Sequence, residues 1–562
     1  MIYKPLPIGV ENFEKMIKNG YYYVDKTLFI KDLIDKKSEV NLFTRPRRFG
    51  KSLNLSMIQY FFEKREKERS YLFDGLNIMS AGDKYTSEMN KYPVISITLK
   101  GIEESTYDFS FEMLQIELQR EFRRHKYLLE SGKIDDLQKA VYTDILSGSA
   151  TKSVYLTSIK FLSDCLELHY DEKVVILIDE YDVPITKAYF SGYYDVMVST
   201  IRSFFHATLK TNNSLNFAVI TGCLRVSKES IFTGFNNPKI VTIISDAYGE
   251  YFGFTEDEVK EAFLFYELGA KINQARHWYN GYLFGKTNVY NPWSILNFLF
   301  DSYENKDWFP RPYWVNTSSN RIIQEFIEIA DSDTRDEIEV LIQGEAITKP
   351  IHEDVVFSEI KEKMDNLWNF LFFTGYLKKT GEHIDGNKIY FDLEIPNIEV
   401  LTIFERKICE WFESTVKAFD LSKLYAAIFN LDIETFIDEL NALLTDTISY
   451  FDSKENFYHG FMTGVLAHMK GYRIKSNRES GNGRGDIFLL PVSMRNIAVI
   501  FEIKPAKAYD DLEKKCDEAL RQIEENKYDQ ELKQEGYSRI LKYGVAFYRK
   551  DCMVRGVINT KI

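Results

Sequence analysis

The stretch "RPRRFGKSLNLSM", Arg45 to Met57, decides the fold of the N-terminal half. Its second half reads as a phosphate-binding loop running into a helix, for which the full signature is G-x-x-x-x-G-K-[ST]. Gly50, Lys51 and Ser52 fit, while Arg45 stands where the first glycine is expected. Gly-Lys-Ser alone is a weak signal, so the flanks decide. Such a loop must follow a buried strand and open a helix, because the free amides at a helix start bind phosphate. "EVNLFT" (39–44) reads as the strand and Ser52 to Glu63 as the helix. Arg45, Arg47 and Arg48, with Phe49 and Leu53, then form the lip of a nucleotide site. Guanidinium groups suit bidentate phosphate contact. The competing reading is that some of the arginines meet acidic residues and only shape the loop.

A phosphate loop needs a magnesium carboxylate from a neighbouring strand. "VVILIDEYD" supplies one, with Val174 to Ile178 as a strand buried on both faces and Asp179 at its carboxyl end. Ligands sit at that edge of open parallel sheets. There Asp179 can hold Mg²⁺ opposite the Ser52 hydroxyl, and Glu180 can polarise an attacking water. "LNFAVITG" (215–222) brings Thr221 to the same edge, and Arg225 follows as a reader of the γ-phosphate. Taken singly, each piece reads equally well as a buried strand ending in a solvated turn. Three pieces in order favour ATP binding with hydrolysis.

The strands at 39–44, 92–99, 173–179 and 215–222 alternate with long amphipathic patterns such as 111–131, which implies a parallel sheet covered on both faces. From about residue 255 the pattern turns mostly helical. An apolar helix over 365–380 and a strand pair within 386–397 suggest a winged-helix-like element. A new α/β pattern begins near 450, with a helix at 456–469, a strand pair within 486–503, a helix at 508–527 and a strand at 541–549.

That last segment carries a second constellation. In "GRGDIFLL" and "NIAVIFEIKPAK", Asp486 begins one strand and Glu502 and Lys504 lie on the next. Side chains alternate along a strand, so Glu502 and Lys504 share a face. Two carboxylates can hold Mg²⁺ or Mn²⁺, which lowers the pKa of bound water, and Lys504 can orient that water. Upstream, Glu455 and His459 are spaced i,i+4 on one helix face. Glu455 reads as a further metal ligand, and His459 as a supporting group that packs or bonds a carboxylate. "FEIK" also occurs by chance in edge strands as a solvated ion pair. Here it lies in a window, Lys470 to Lys507, with eight Lys/Arg against three Asp/Glu. The basic residues Arg473, Lys475, Arg478, Arg484 and Lys507 suit phosphate neutralisation with little sequence selectivity.

The whole chain has 562 residues and a net charge of −13, so it does not coat nucleic acid over its full surface. No segment approaches the roughly 18–20 apolar residues of a membrane span, and the N-terminus has no apolar signal core. A cytoplasmic protein without a membrane partner is expected. The five cysteines are widely spaced with no CxxC, which favours reduced structural thiols.

The blocks "LPIGVENFEKMI", "YYYVDKTLFI", "RPRRFGKSL", "LIDEYD", "ITGCLRVSKESIF", "GFTEDEV", "WYNGY", "YNPWSI" and "YWVNTSSN" resemble, in succession, the bacterial AAA-ATPase-like family. Its members often end in a PD-(D/E)XK nuclease-like domain. The resemblance implies that the arginine-bearing loop is the usual form there, and that Asp25, Lys26 and Thr27 matter near the nucleotide. It also implies that Gln522 and Tyr528, on the helix after the nuclease core, support that site. "WYNGY" and "YNPW" are read as aromatic core packing.

The expected architecture is a P-loop NTPase domain over 1–265, a helical lid with a winged-helix-like region over 266–400, and a helical connector over 401–450. A restriction-endonuclease-like α/β domain over 451–562 follows. The expected function is an ATPase coupled to a metal-dependent nuclease acting on DNA or RNA, in a defence or mobile-element setting. The runner-up is a signalling switch whose nuclease fold only binds nucleic acid or a partner. A helicase-like motor lacks its further motifs. A homo-oligomer is expected if Arg225 or another arginine acts across subunits.

Overall fold

The computed structural model describes residues 3–65, 69–225, 238–314, 332–353, 364–386, 388–416, 420–445, 455–467, 469–480, 483–492 and 496–560. The chain forms two compact units. One comprises Met1–Asn316 with Thr348–Val400, and the other Thr317–Ile347 with Leu401–Ile562.

The first unit is built on a five-stranded sheet. Its strands are β1 (Val40–Thr44), β2 (Val94–Thr98), β3 (Val174–Asp179), β4 (Leu215–Gly222) and β5 (Lys239–Val241), in the order β2-β3-β4-β1-β5. Every pairing is parallel. β1 and β3 are buried at every position, as expected of strands covered on both faces. The order places β4 between the strand that feeds the Arg45–Gly50 loop and the strand that ends in Asp179. All three carboxyl ends therefore open on one edge. The helix after the loop runs Lys51–Phe62, one residue earlier than the sequence pattern suggests, and buries Leu55, Met57, Ile58, Phe61 and Phe62.

Beyond this sheet, β6 (Tyr282–Phe284) and β7 (Thr287–Val289) pair as a small antiparallel ribbon. β8 (Ile347–Pro350), β9 (Lys378–Asp385) and β10 (Lys388–Glu394) form a second sheet in the order β8-β10-β9. The apolar helix of this region runs Met364–Phe373, shorter than the predicted 365–380, and the hairpin begins at Lys378 rather than within 386–397. The cause is local: Gly375 takes φ +88°, which ends the helix, and Gly386 at φ +59° supplies the turn.

The second unit centres on a mixed sheet of β11 (Tyr472–Ser480), β12 (Gly483–Pro491), β13 (Ala498–Pro505), β14 (Arg539–Tyr548) and β15 (Asp551–Thr560), in sequence order. β13 and β14 are parallel, and the other pairings are antiparallel. On one face, Phe488, Leu490, Ala498, Ile500 and Ile540 pack with Ile523, Tyr528 and Leu532 from the helices Leu512–Glu525 and Asp529–Gln534. On the other, Phe501 and Tyr543 meet Phe436 from Ile433–Thr445, and Phe547 stacks on Tyr458 from Glu455–Ala467. Strand alternation thus divides the sheet into two helix-covered layers. Cys165, Cys223, Cys516 and Cys552 are all free and buried. No described helix is long and apolar enough to cross a membrane.

Candidate functional site

At the carboxyl edge of the first sheet, Ser52 Oγ donates to Asp179 Oδ2 at 2.6 Å and Thr221 Oγ1 donates to Asp179 Oδ1 at 2.5 Å. One carboxylate therefore gathers three elements: the helix after the loop, β3 and β4. Gly50 opens the helix at φ +83°, a left-handed conformation that favours glycine. Lys51 is buried, and its Nζ donates to the carbonyls of Arg45 and Pro46, both at 3.0 Å, with Cys223 Sγ at 3.5 Å. Burial works against its charge, yet Cys223, Glu180, Asp182 and Asp179 together hold the ammonium pKa above its ordinary value. Glu180 follows Asp179 at φ +52°, in the left-handed region that non-glycine residues seldom enter and that clusters at functional sites. Burial raises its carboxyl pKa; Lys51 opposes the rise and Asp179 and Asp182 add to it.

The arginine lip divides into separate roles. Arg45 is completely buried, with Nη1 donating to the carbonyls of Thr44 and Val241, so direct phosphate contact is corrected. The side chain is buried where the Phe252 and Phe284 rings offer aromatic contact to its guanidinium. Arg47 is partly exposed and faces an acidic surround of Glu180, Asp182 and Glu103; burial opposes its charge but the net pKa is raised. Arg48 is exposed at φ +71°, with its guanidinium 4.3 Å from the Trp293 ring. Phe49 is buried against Tyr282 and Phe284 and serves as an anchor of the loop rather than a ligand contact. Leu53 lies half-buried on the first turn of the helix. Arg225 donates to Glu353 at 3.1 Å, which differs from the expected phosphate-facing role.

"YNPW" therefore does more than pack, since Trp293 supports the loop through Arg48. "WYNGY" contributes Tyr279 and Tyr282 to the core as expected. Asp25 accepts from the amides of Thr27 and Asn77, and Lys26 donates to Glu258 at 2.6 Å. These residues tie the N-terminal segment to the Glu256–Phe265 helix. Sequence reading missed Asp182. Its Oδ2 accepts from the amides of Cys223 (2.9 Å) and Leu224 (3.0 Å), linking the turn after β3 to the end of β4. Its place three residues after Asp179 was the available signal.

In the second unit, the antiparallel register sets Asp486 opposite Glu502, two positions along from the Phe488–Ile500 pair. Asp486, Glu502 and Lys504 share the face that carries the Leu512–Glu525 helix. Asp486 Oδ2 accepts from the Ile503 amide at 2.8 Å, and Lys504 Nζ donates to Glu502 Oε1 at 3.2 Å. Glu502 is fully buried and its Oε2 has no hydrogen-bond partner. Burial, reinforced by Asp486 and opposed by Lys504, pushes its pKa up to about 7. A buried carboxylate oxygen left without a partner beside a second carboxylate fits a divalent cation, whose charge reverses that rise. Among the described residues no three His, Cys, Asp or Glu side chains gather for a metal, so water would complete the coordination. The Glu455 side chain lies outside the described residues, as do those of Arg478 and Arg484.

His459 Nε2 lies 2.9 Å from the Asp486 main-chain carbonyl, so it braces the strand that carries Asp486. Gln522 and Asn526 donate to the Tyr528 hydroxyl at 3.3 and 3.0 Å, and the Tyr528 ring is buried in the apolar cluster. Gln522 and Tyr528, which the resemblance paired, are thus bonded to each other. Arg473 and Lys475 are exposed on the edge strand β11 and lie opposite Leu490 and Phe488. They therefore share the face of Asp486 and Glu502.

Residues 7–232 match the family model for a predicted AAA-ATPase, and residues 453–556 match that for the PD-(D/E)XK nuclease superfamily. The chain carries an AAA-ATPase-like domain followed by a PD-(D/E)XK nuclease-superfamily domain. The first range holds Lys51, Asp179 and Thr221, and the second holds Asp486, Glu502 and Lys504. The chain is also similar to a protein of Azotobacter chroococcum mcd 1, described as "Uncharacterized protein in vnfD 5'region". The two are 28% identical over 408 residues, which span 71% of this chain and 68% of that protein. No solved structure matches the chain.

Proposed function

We propose that the AAA-ATPase-like domain binds and hydrolyses ATP and that the PD-(D/E)XK domain is a metal-dependent nuclease acting on DNA or RNA. The observation that carries the first half is the shared carboxylate of Asp179, held by Ser52 and Thr221 directly beside Lys51. Lys51 exchanges its two carbonyl partners for phosphate oxygens, the amides at the start of the Lys51–Phe62 helix cradle those oxygens, and Glu180 orients the attacking water. In the nuclease domain, Asp486 and Glu502 are the ligands and Lys504 stabilises the charge that develops on the phosphate. Bound Mg²⁺ or Mn²⁺ would neutralise phosphate charge at both sites and activate water at the second. Arg473 and Lys475 guide the nucleic-acid backbone along the β11 edge.

A defence or mobile-element setting, a cytoplasmic location and assembly into a homo-oligomer belong to this proposal. The setting rests on the pairing of the two domains, and the homo-oligomer on an arginine acting across subunits. The test is cleavage of a panel of DNA and RNA by purified protein with Mg²⁺ or Mn²⁺, with and without ATP. Cutting that disappears in Glu502→Ala and ATP turnover that disappears in Lys51→Ala are the expected results. ATP turnover without cutting under any condition would reduce the second domain to a binding module.

A further inference from the structure

Among the described residues, several buried or half-buried cations form ion pairs. Lys26 pairs with Glu258, Arg124 with Glu63 and Glu121, and Lys542 with Glu524 and Asp529. Arg45 does not. Its exposure is 0%, and its Nε and Nη2 have no hydrogen-bond partner. Only Nη1 is bonded, to the carbonyls of Thr44 at 3.0 Å and Val241 at 3.3 Å. The Phe252 and Phe284 rings lie 5.2 and 4.9 Å from the guanidinium carbon. Such stacking recovers part of the lost hydration but not all of it. Leaving a buried charge unpaired is among the most destabilising arrangements a core can hold. A neutral side chain of similar length would fold better here.

The position of that charge suggests what offsets its cost. The Arg45 carbonyl accepts from Lys51, and the loop that cradles phosphate starts at the next residue. The guanidinium therefore stands behind the loop, walled by apolar rings. Low-dielectric surroundings weaken a field much less than water does. We propose that Arg45 is an electrostatic anchor for the phosphates of a nucleotide, acting through the loop without touching the ligand. This rests on the ATP-binding reading above. The residue is a positioning and binding element, not a catalytic one.

Two signatures separate this role from a merely structural one. The first is that Arg45→Met raises the melting temperature while weakening ATP binding at least tenfold. The second is a loss graded by ligand charge, largest for ATP, smaller for ADP, smaller again for AMP and absent for adenosine. Arg45→Gln, which keeps the length and a donor but not the charge, shows the same gradation. The experiment is binding of these four ligands with Mg²⁺ to wild type, Arg45→Met, Arg45→Gln and Lys51→Ala, beside thermal melts. Unchanged ATP affinity in Arg45→Met overturns the inference. So does a lower melting temperature, or failure to fold, with losses equal across ligands in Arg45→Gln. If wild type binds no ATP, the ATP-binding reading falls and takes this inference with it. If wild type binds and Lys51→Ala does not, yet both Arg45 variants bind normally, this inference falls alone.

Discussion

Asp182 shows how one side chain can join two strands that the sequence only sets near each other. It is 3% exposed, and both amides it accepts from belong to the segment that follows Thr221. Truncation would leave two buried N–H groups without partners, each worth about 1–3 kcal/mol. Asp182→Ala is therefore expected to destabilise the first unit by about 2–6 kcal/mol and to abolish ATP turnover. The turnover loss follows because the Thr221 bond to Asp179 depends on where β4 ends. Asp182→Asn keeps an oxygen for the two amides, and its stability should stay within about 1 kcal/mol of wild type. Denaturant midpoints for the two variants decide the matter: equal losses would mean that the amides are not what Asp182 holds.

At the scale of elements, Glu399 pins the start of the Ile398–Val416 helix to the Pro292–Glu304 helix. It is fully buried, Ser294 donates to it at 2.7 Å and the Trp314 amide at 2.9 Å. Burial raises its pKa from 4.5 to about 7, with the two donors opposing the rise. Between those values the fold keeps a proton that the unfolded chain releases. Stability is thus highest below about pH 4.5 for this group, falls as pH rises through 7, and stays low above. The contribution is on the order of 3 kcal/mol. Glu399→Gln accepts the Trp314 amide through its oxygen and donates to Ser294, so it should flatten that part of the profile and exceed wild type in stability at pH 8. Parallel pH profiles for wild type and variant in urea melts would rule this out. No sequence signal marked Glu399, because its partners lie far from it along the chain. The strands that were legible, β1 to β4 and β12 to β14, are each built round a run of mostly apolar or β-branched residues. β11 and β15 were not, because "YRIKSNRES" and "DCMVRGVINT" sit at sheet edges and keep polar residues where only one neighbour needs covering. Asp179, Lys51 and the Asp486–Glu502–Lys504 set were legible because their spacing is itself the chemistry. The burial of Arg45 was not, because it depends on Phe252 and Phe284, which are more than two hundred residues away in sequence.

Across the whole molecule, the chain crosses between its two units three times, after Asn316, after Ile347 and after Val400. The described residues 332–347 are thus enclosed in sequence by the first unit but group with the second. Their helix Ser332–Ile342 buries Ile338, Leu341 and Ile342. A fragment cut at Val400 would retain that helix without the rest of the unit it groups with. Each exposed aliphatic side chain then forfeits about 1.5–3 kcal/mol, and together they form an apolar patch that favours association. Residues 1–400 should therefore aggregate on size-exclusion chromatography. The same fragment with 317–347 replaced by a flexible Gly/Ser linker should run as a single species and keep Lys51-dependent ATP binding. The 401–562 fragment lacks the helix and should melt well below the full chain unless a 317–347 peptide is added. A 1–400 fragment that is monodisperse and melts cooperatively would instead assign the helix to the ATPase unit. The nuclease domain would then end its contacts at Leu401, and communication between the two sites would have a single covalent route rather than three.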